Sequence, residues 1–190
     1  ETIKNISPVF GGINLEDFKA PECFEIEEAL QDLGIPVMHD DQHGTSVVVL
    51  AGIINSLKVV EKEIEEVKIV INGSGAAGIA TTKLMLKYGF KNIIVLDSEG
   101  IIYKGRQNLN KIKEEIASIT NHNLIQGDLL EAMKRADIFI GRSGANTVSE
   151  VLALRRPAIF IPIPWVQQNE QMKNALVAKS NGFASLLHHL

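Results

Sequence analysis

Short apolar runs alternate along most of the chain with segments whose apolar residues recur at helical spacing. The runs VKIVIN (67–72), NIIVLD (92–97), DIFI (137–140) and AIFI (158–161) have the length and Ile/Val content of buried strands. Residues 76–88, 109–119, 146–154 and 168–180 carry helical periodicity, the first of them opened by a glycine loop. Strand and helix in alternation predict a mostly parallel sheet covered by helices on both faces, with right-handed crossovers. Upstream, 7–15 reads as an extended approach, 21–33 as a helix, 36–39 as a short strand and 45–60 as a helix. That last helix is apolar on most sides, which predicts a position inside the molecule. No internal repeat and no Pro/Gly/Ser linker interrupts the pattern, so residues 1–190 are expected to form one domain.

Composition narrows the class. The chain has 190 residues, 45% hydrophobic and 22% charged, near the averages of folded globular domains. A formal net charge of -4 with Lys and Glu interspersed leaves no basic stripe for a phosphate backbone, so nucleic acid is not an expected partner. The single cysteine, Cys23, makes neither an internal disulfide nor a zinc cluster. No charged-then-apolar leader or long apolar span occurs; no membrane partner is expected and the cytoplasm is the default compartment. The chain opens on Glu1 rather than Met, in what reads as a strand approach, as a piece cut from a longer protein would. No pattern fixes its oligomeric state.

The stretch VKIVINGSGAAGIATTKLMLKYGFKNIIVLDSEG places Gly73, Gly75 and Gly78 directly after a strand and at the mouth of a helix. In that context the first glycine permits a tight turn, the second lets a pyrophosphate approach the backbone, and the third lets helix pack on strand. Ser74, Ala76 and Ala77 complete the loop, whose helix N-terminus offers free N–H groups to phosphate. Asp97 ends the next strand about 20 residues past the last glycine, followed by Ser98. A carboxylate there accepts both ribose hydroxyls of NAD and repels the 2′-phosphate of NADP. The alternative is a ligand-free αβ turn.

Two acidic pairs, Glu16 with Asp17 and Asp40 with Asp41, each follow an apolar strand-like run. Converging carboxylates suit a hard divalent ion, Mg or Mn, although solvated loop acids have the same spacing. His39 and His43 flank the second pair, and a lone histidine is more often a hydrogen-bonded structural residue than a ligand.

From about residue 7 to 140, the wording GGINLEDFKAPECFEIE, IPVMHDDQHGT, LAGIINSLKV, VINGSGAAGIA and LDSEGIIYKGR resembles the NAD-binding domain of bacterial malic enzymes, which oxidatively decarboxylate malate to pyruvate. The resemblance implies Glu16, Asp17 and Asp41 as divalent-metal ligands and Asp40 as a carboxylate beside the chemistry. It further implies 73–78 as the pyrophosphate loop and Asp97 as the ribose acid. In that family the metal acts as a Lewis acid and hydride leaves for nicotinamide. The family's acid/base tyrosine and lysine lie in a preceding domain that this chain does not include, so Asp40 would be vestigial and no other catalytic residue is assigned.

Past Gly141 the wording changes. GRSGANTVSEVLALRRPAIFIPIPWVQQNEQMKNALVAKSNGFASLLHHL (141–190) resembles the C-terminal part of the UDP-N-acetylglucosamine transferase that makes lipid II. The resemblance implies Ser143 and Gly144 near UDP phosphates, Glu150 at the ribose, and Gln171 and Asn174 facing the donor sugar. A helix cap with ordinary surface amides is the alternative. The tail LLHHL reads as a truncated element or the approach to a purification tag.

Both parent folds use a strand like DIFIG at the same place in the sheet. The expected architecture is therefore α/β, a Rossmann-like three-layer αβα sandwich with a mostly parallel sheet, built as an engineered chimera of segments 1–140 and 141–190. Its expected function is NAD binding without a complete catalytic site. The alternatives are a residual malic enzyme dependent on NAD and a divalent metal, and a UDP or UDP-sugar binding domain.

Overall fold

A computed structural model describes residues 1–163 and 167–186. Its centre is a six-stranded sheet in the order β5-β4-β3-β6-β7-β8, where β3 is Lys68–Asn72, β4 Asn92–Asp97, β5 Gly100–Ile101, β6 Ile138–Gly141, β7 Ala158–Phe160 and β8 Ala184–Leu186. Every pairing in it is parallel except the two-residue edge strand β5 against β4. A separate two-stranded parallel sheet joins β1 (Ile13–Leu15) to β2 (Val37–His39).

The helices in chain order are α1 (Thr2–Ile6), α2 (Glu22–Glu28), α3 (Asp40–Val60), α4 (Ala76–Tyr88), α5 (Lys111–Ile119), α6 (Leu129–Arg135), α7 (Ala145–Leu154) and α8 (Glu170–Ser180). Alternate strand residues face opposite sides, so Ile69, Ile71, Ile138, Ile140 and Ile159 join a core under α3, α4 and α5. Val70, Phe139, Ala158 and Phe160 join the other core, under α6, α7 and α8. This is the expected Rossmann-like αβα arrangement with a mostly parallel sheet. No helix among the described residues is long and apolar enough to cross a membrane.

The sheet runs through Gly141 without a break. Phe139 before it and Phe160 after it are both 0% exposed, with ring centroids 6.0 Å apart and tilted at 59°. Local signals fix the flanking helices: the Asn110 side chain accepts from the Lys113 N–H at the start of α5, and Asp128 accepts from the Glu131 N–H at the start of α6.

Several expectations need correction. Residues 7–15 are not extended throughout, because Ser7–Val9 is a 3-10 turn and α1 precedes it, so the chain does not open on a strand approach. The expected 21–33 helix stops at Glu28, and Gln31–Leu33 follows as a separate 3-10 turn before Gly34 in the left-handed region. Helix α3 starts at Asp40 and buries Val49, Ile53 and Leu57 on one face, while Val47 is 59% exposed on another. Its apolar surplus therefore does not enclose it. Elements α6, β5 and β8 carried too short a pattern to be expected. The last part of the LLHHL tail, 187–190, lies outside the described residues.

Candidate functional site

The carboxyl end of β3 delivers the chain into the glycine loop. Gly73 has φ +125, the left-handed region that favours glycine, and its N–H donates to the Leu96 carbonyl at 3.1 Å. A Cβ on Gly78 would sit 1.9 Å from the Gly73 carbonyl oxygen, so the first turn of α4 closes onto the loop only because residue 78 has no side chain. At Gly73 and Gly75, by contrast, a Cβ would meet nothing within 4 Å. Space is thus kept open on the side of the loop where α4 presents its amino end, Gly75 being the N-cap.

Two cavities meet at this loop. One, of about 420 Å³, is lined by Gly73, Ser74, Gly75, Asp97, Ser98 and Lys113 among others. The other, of about 500 Å³, runs over Ala76, Ala77 and Gly78 to Asp41, Thr45 and Arg142. The loop residues expected from sequence and the pair Asp97–Ser98 are therefore brought together.

Asp97 is not free. Its Oδ1 accepts from Arg106 Nη1 at 2.9 Å, and its Oδ2 accepts from Arg106 Nη2 and from Lys113 Nζ, the latter at 2.7 Å. Burial alone would raise the Asp97 carboxyl, but the bonds from Arg106, then Lys113 and the Glu99 N–H, outweigh it and hold the group well below the usual carboxylate range. The Asp97 and Arg106 side chains are only 7% and 10% exposed. Two cations thus accompany the one anion at this position. Arg106 and Lys113 are the residues that sequence reasoning missed; an arginine shortly after an acid at a strand end was the signal for the first.

The upstream acids behave differently from one another. Asp41 lines the 500 Å³ cavity and its Oδ2 accepts from the Asp17 N–H at 3.0 Å. Asp40 does not line that cavity, and a Cβ on Gly44 would meet its Oδ1 at 2.2 Å, so its carboxylate lies back over its own helix. Glu16 Oε1 accepts from Asn14 Nδ2 at 3.1 Å. Among the described residues no group of three or more His, Cys, Asp or Glu side chains is gathered to hold a metal ion. The set Glu16, Asp17 and Asp41 does not fit a divalent ion as it stands. His43 Nε2 lies 2.6 Å from Glu27 Oε1, an ordinary structural contact, while His39 is buried against Phe18 with no hydrogen-bond partner on either ring nitrogen.

Arg142, past the change in wording, also lines the 500 Å³ cavity, and its Nη1 donates to the Ile161 carbonyl at 2.9 Å. Burial pushes its guanidinium below the ordinary arginine value, and the charge of Asp41 acts against that shift. The neighbouring residues are engaged inside the protein. Ser143 is 0% exposed and its Oγ donates to the Gln171 carbonyl at 2.8 Å. Asn174 Nδ2 donates to the Ser143 carbonyl, and Gln171 Oε1 accepts from the Ile163 N–H. Three of the five residues expected to face UDP thus tie α8 to the start of α7. Gly144 caps α7 with open space at its Cβ position, and Glu150 keeps one buried oxygen, Oε2, without a hydrogen-bond partner.

Comparison with known proteins gives two overlapping likenesses. Residues 69–189 match the glycosyltransferase family 28 C-terminal domain. The chain is also 48% identical over 171 residues to the NAD-dependent malic enzyme of Geobacillus stearothermophilus, covering 86% of this chain and 36% of that protein. It is 47% identical over 154 residues to the NADP-dependent malic enzyme of Haemophilus influenzae, covering 79% of this chain and 20% of that protein. The crystal structure of the NAD-dependent malic enzyme of Thermotoga maritima superposes with a TM-score of 0.77 at 45% identity, over 84% of this chain and 44% of that one. The chain therefore spans less than half the length of these relatives.

The family match starts ahead of Gly141, and a malic-enzyme likeness over 86% of the chain extends past it. The two likenesses overlap instead of meeting at that residue, as two versions of one sheet pattern would. By its match over 69–189 the chain belongs to the glycosyltransferase family 28 C-terminal domain family, and it carries a malic-enzyme likeness through much of the same stretch.

Proposed function

We propose that this chain is a single Rossmann-like unit, a chimera of malic-enzyme and glycosyltransferase segments, that binds a pyridine dinucleotide without turning over malate. The observation that carries the reading is the open side of the loop at Gly73 and Gly75, where the 420 and 500 Å³ cavities meet. A pyrophosphate over the N–H groups of 73–78 would join an adenosine half beside Asp97 and Ser98 to a nicotinamide half beside Asp41 and Thr45. When bound, the nicotinamide ring supplies hydride acceptance. The chain's own residues orient it: the loop holds the phosphates, and Asp97, fixed by Arg106 and Lys113, faces the ribose. Because those cations offset the carboxylate, NADP is admitted beside NAD; relatives named for each coenzyme are consistent with this.

Titration of NADH fluorescence tests the reading. Saturable enhancement is expected for the unaltered chain and loss of it in Gly75→Asp, whose carboxylate would face the phosphates. No enhancement with either NADH or NADPH would refute it. A residual malate reaction is a second reading, favoured by the malic-enzyme likeness, and would be seen as malate-dependent NADH formation that Asp41→Ala abolishes. The family match favours UDP or a UDP-sugar as a third, and its signature is UDP binding lost in Glu150→Ala.

A further inference from the structure

The amino-terminal ends of β3, β4 and β6 lie at the opposite end of the sheet from the glycine loop. There they floor another cavity, of about 470 Å³, walled by the end of α6, by residues 121–125 and by Arg156. This volume falls within the range of roughly 300–1,000 Å³ typical of small-molecule sites. The wall is built rather than loose. Asn121, 5% exposed, donates through Nδ2 to the Ile102 and Ile125 carbonyls, and its Oδ1 accepts from the Ile125 N–H.

The charge of the lining contrasts with the chain as a whole. Lys68, Lys91, Lys134, Arg135 and Arg156 line the cavity beside one carboxylate, that of Asp137, in a protein with a formal net charge of -4. That carboxylate is already engaged: Oδ1 accepts from Lys62 Nζ at 2.7 Å and Oδ2 from the Lys68 N–H at 2.9 Å. Lys134 and Arg135 share Glu131. Among the described residues, Lys68 and Lys91 make no ion pair, and Arg156 bonds only a carbonyl, that of Lys134. Cations gathered around one cavity repel one another, and a ligand with two or more negative charges relieves that repulsion.

We propose that this cavity binds a small oligoanion, a phosphate ester or a polycarboxylate, with Lys68, Lys91 and Arg156 as its charge partners. The site is independent of the glycine loop, so the experiment is done in the Gly75→Asp background, which disables that loop. The purified chain is titrated with inorganic pyrophosphate and, separately, with citrate, following backbone amide resonances. Saturable shifts at residues 91–94 and 121–125 are expected, with affinity weakened about tenfold or more by Lys91→Glu and by Arg156→Glu, as loss of one strong charge contact predicts. A response to pyrophosphate alone assigns phosphate esters, and a response to citrate alone assigns polycarboxylates. Lys91 is exposed, and the neutral Lys91→Gln, expected to weaken binding less than the reversal, guards against misfolding. No saturable shift with either probe, shifts confined to 73–78, or affinities unchanged by both charge reversals would overturn the proposal.

Discussion

Gly75 and Gly78 share a loop but differ in what surrounds them. The space at Gly75 is empty and its φ of -79 suits any residue, whereas at Gly78 the loop's own carbonyl fills it. Gly75→Ala is therefore expected to leave the melting temperature unchanged and reduce dinucleotide affinity, while Gly78→Val lowers both; paired thermal melts and NADH titrations check this. Asp97 carries a different expectation. Its folded carboxyl titrates below the unfolded value of about 3.9, so its stabilising share is complete above that value and is lost as pH falls through the folded one. Asp97→Asn should cost about 3–5 kcal/mol at neutral pH, because it leaves Arg106 and Lys113 facing no anion, and the difference from the unaltered protein should shrink in strong acid, as measured by urea melts across pH. The loop and Asp97 were legible in the sequence because their spacing is local and the chemistry demands particular residue types. Arg106 and Lys113 were not, since their reach to Asp97 depends on how β5 and the start of α5 fold back.

Elements were legible where the pattern was long. Strands β3, β4, β6 and β7 fell within a residue of their expected bounds because each is buried on both faces and reads as a continuous apolar run. The edge strands β5 and β8 offer two and three residues and no such run. Helices α7 and α8 show what spacing cannot report: which partner a polar side chain takes. Ser143 and Asn174 lock the two helices together instead of facing outward. Ser143→Ala should lower stability by about 1–3 kcal/mol while leaving NADH affinity within twofold, by chemical denaturation and fluorescence titration. A large loss of UDP affinity in that variant without loss of stability would instead favour a ligand role.

At the scale of the whole molecule, one sheet passes through the place where the wording changes, with Phe139 and Phe160 packed across it. Phe139→Ala should cost about 3–5 kcal/mol and destabilise α4 and α7 together, as amide exchange would reveal; protection lost only beyond residue 141 would mean two separately stable parts. A crystal structure of the chain soaked with NAD would show whether this continuous sheet keeps a working dinucleotide cleft. Density for pyrophosphate against the N–H groups of 73–78, with the adenosine ribose at Asp97, is the predicted result. An empty cleft at saturating NAD, or the nucleotide seated over Gly144 and Glu150, would contradict it.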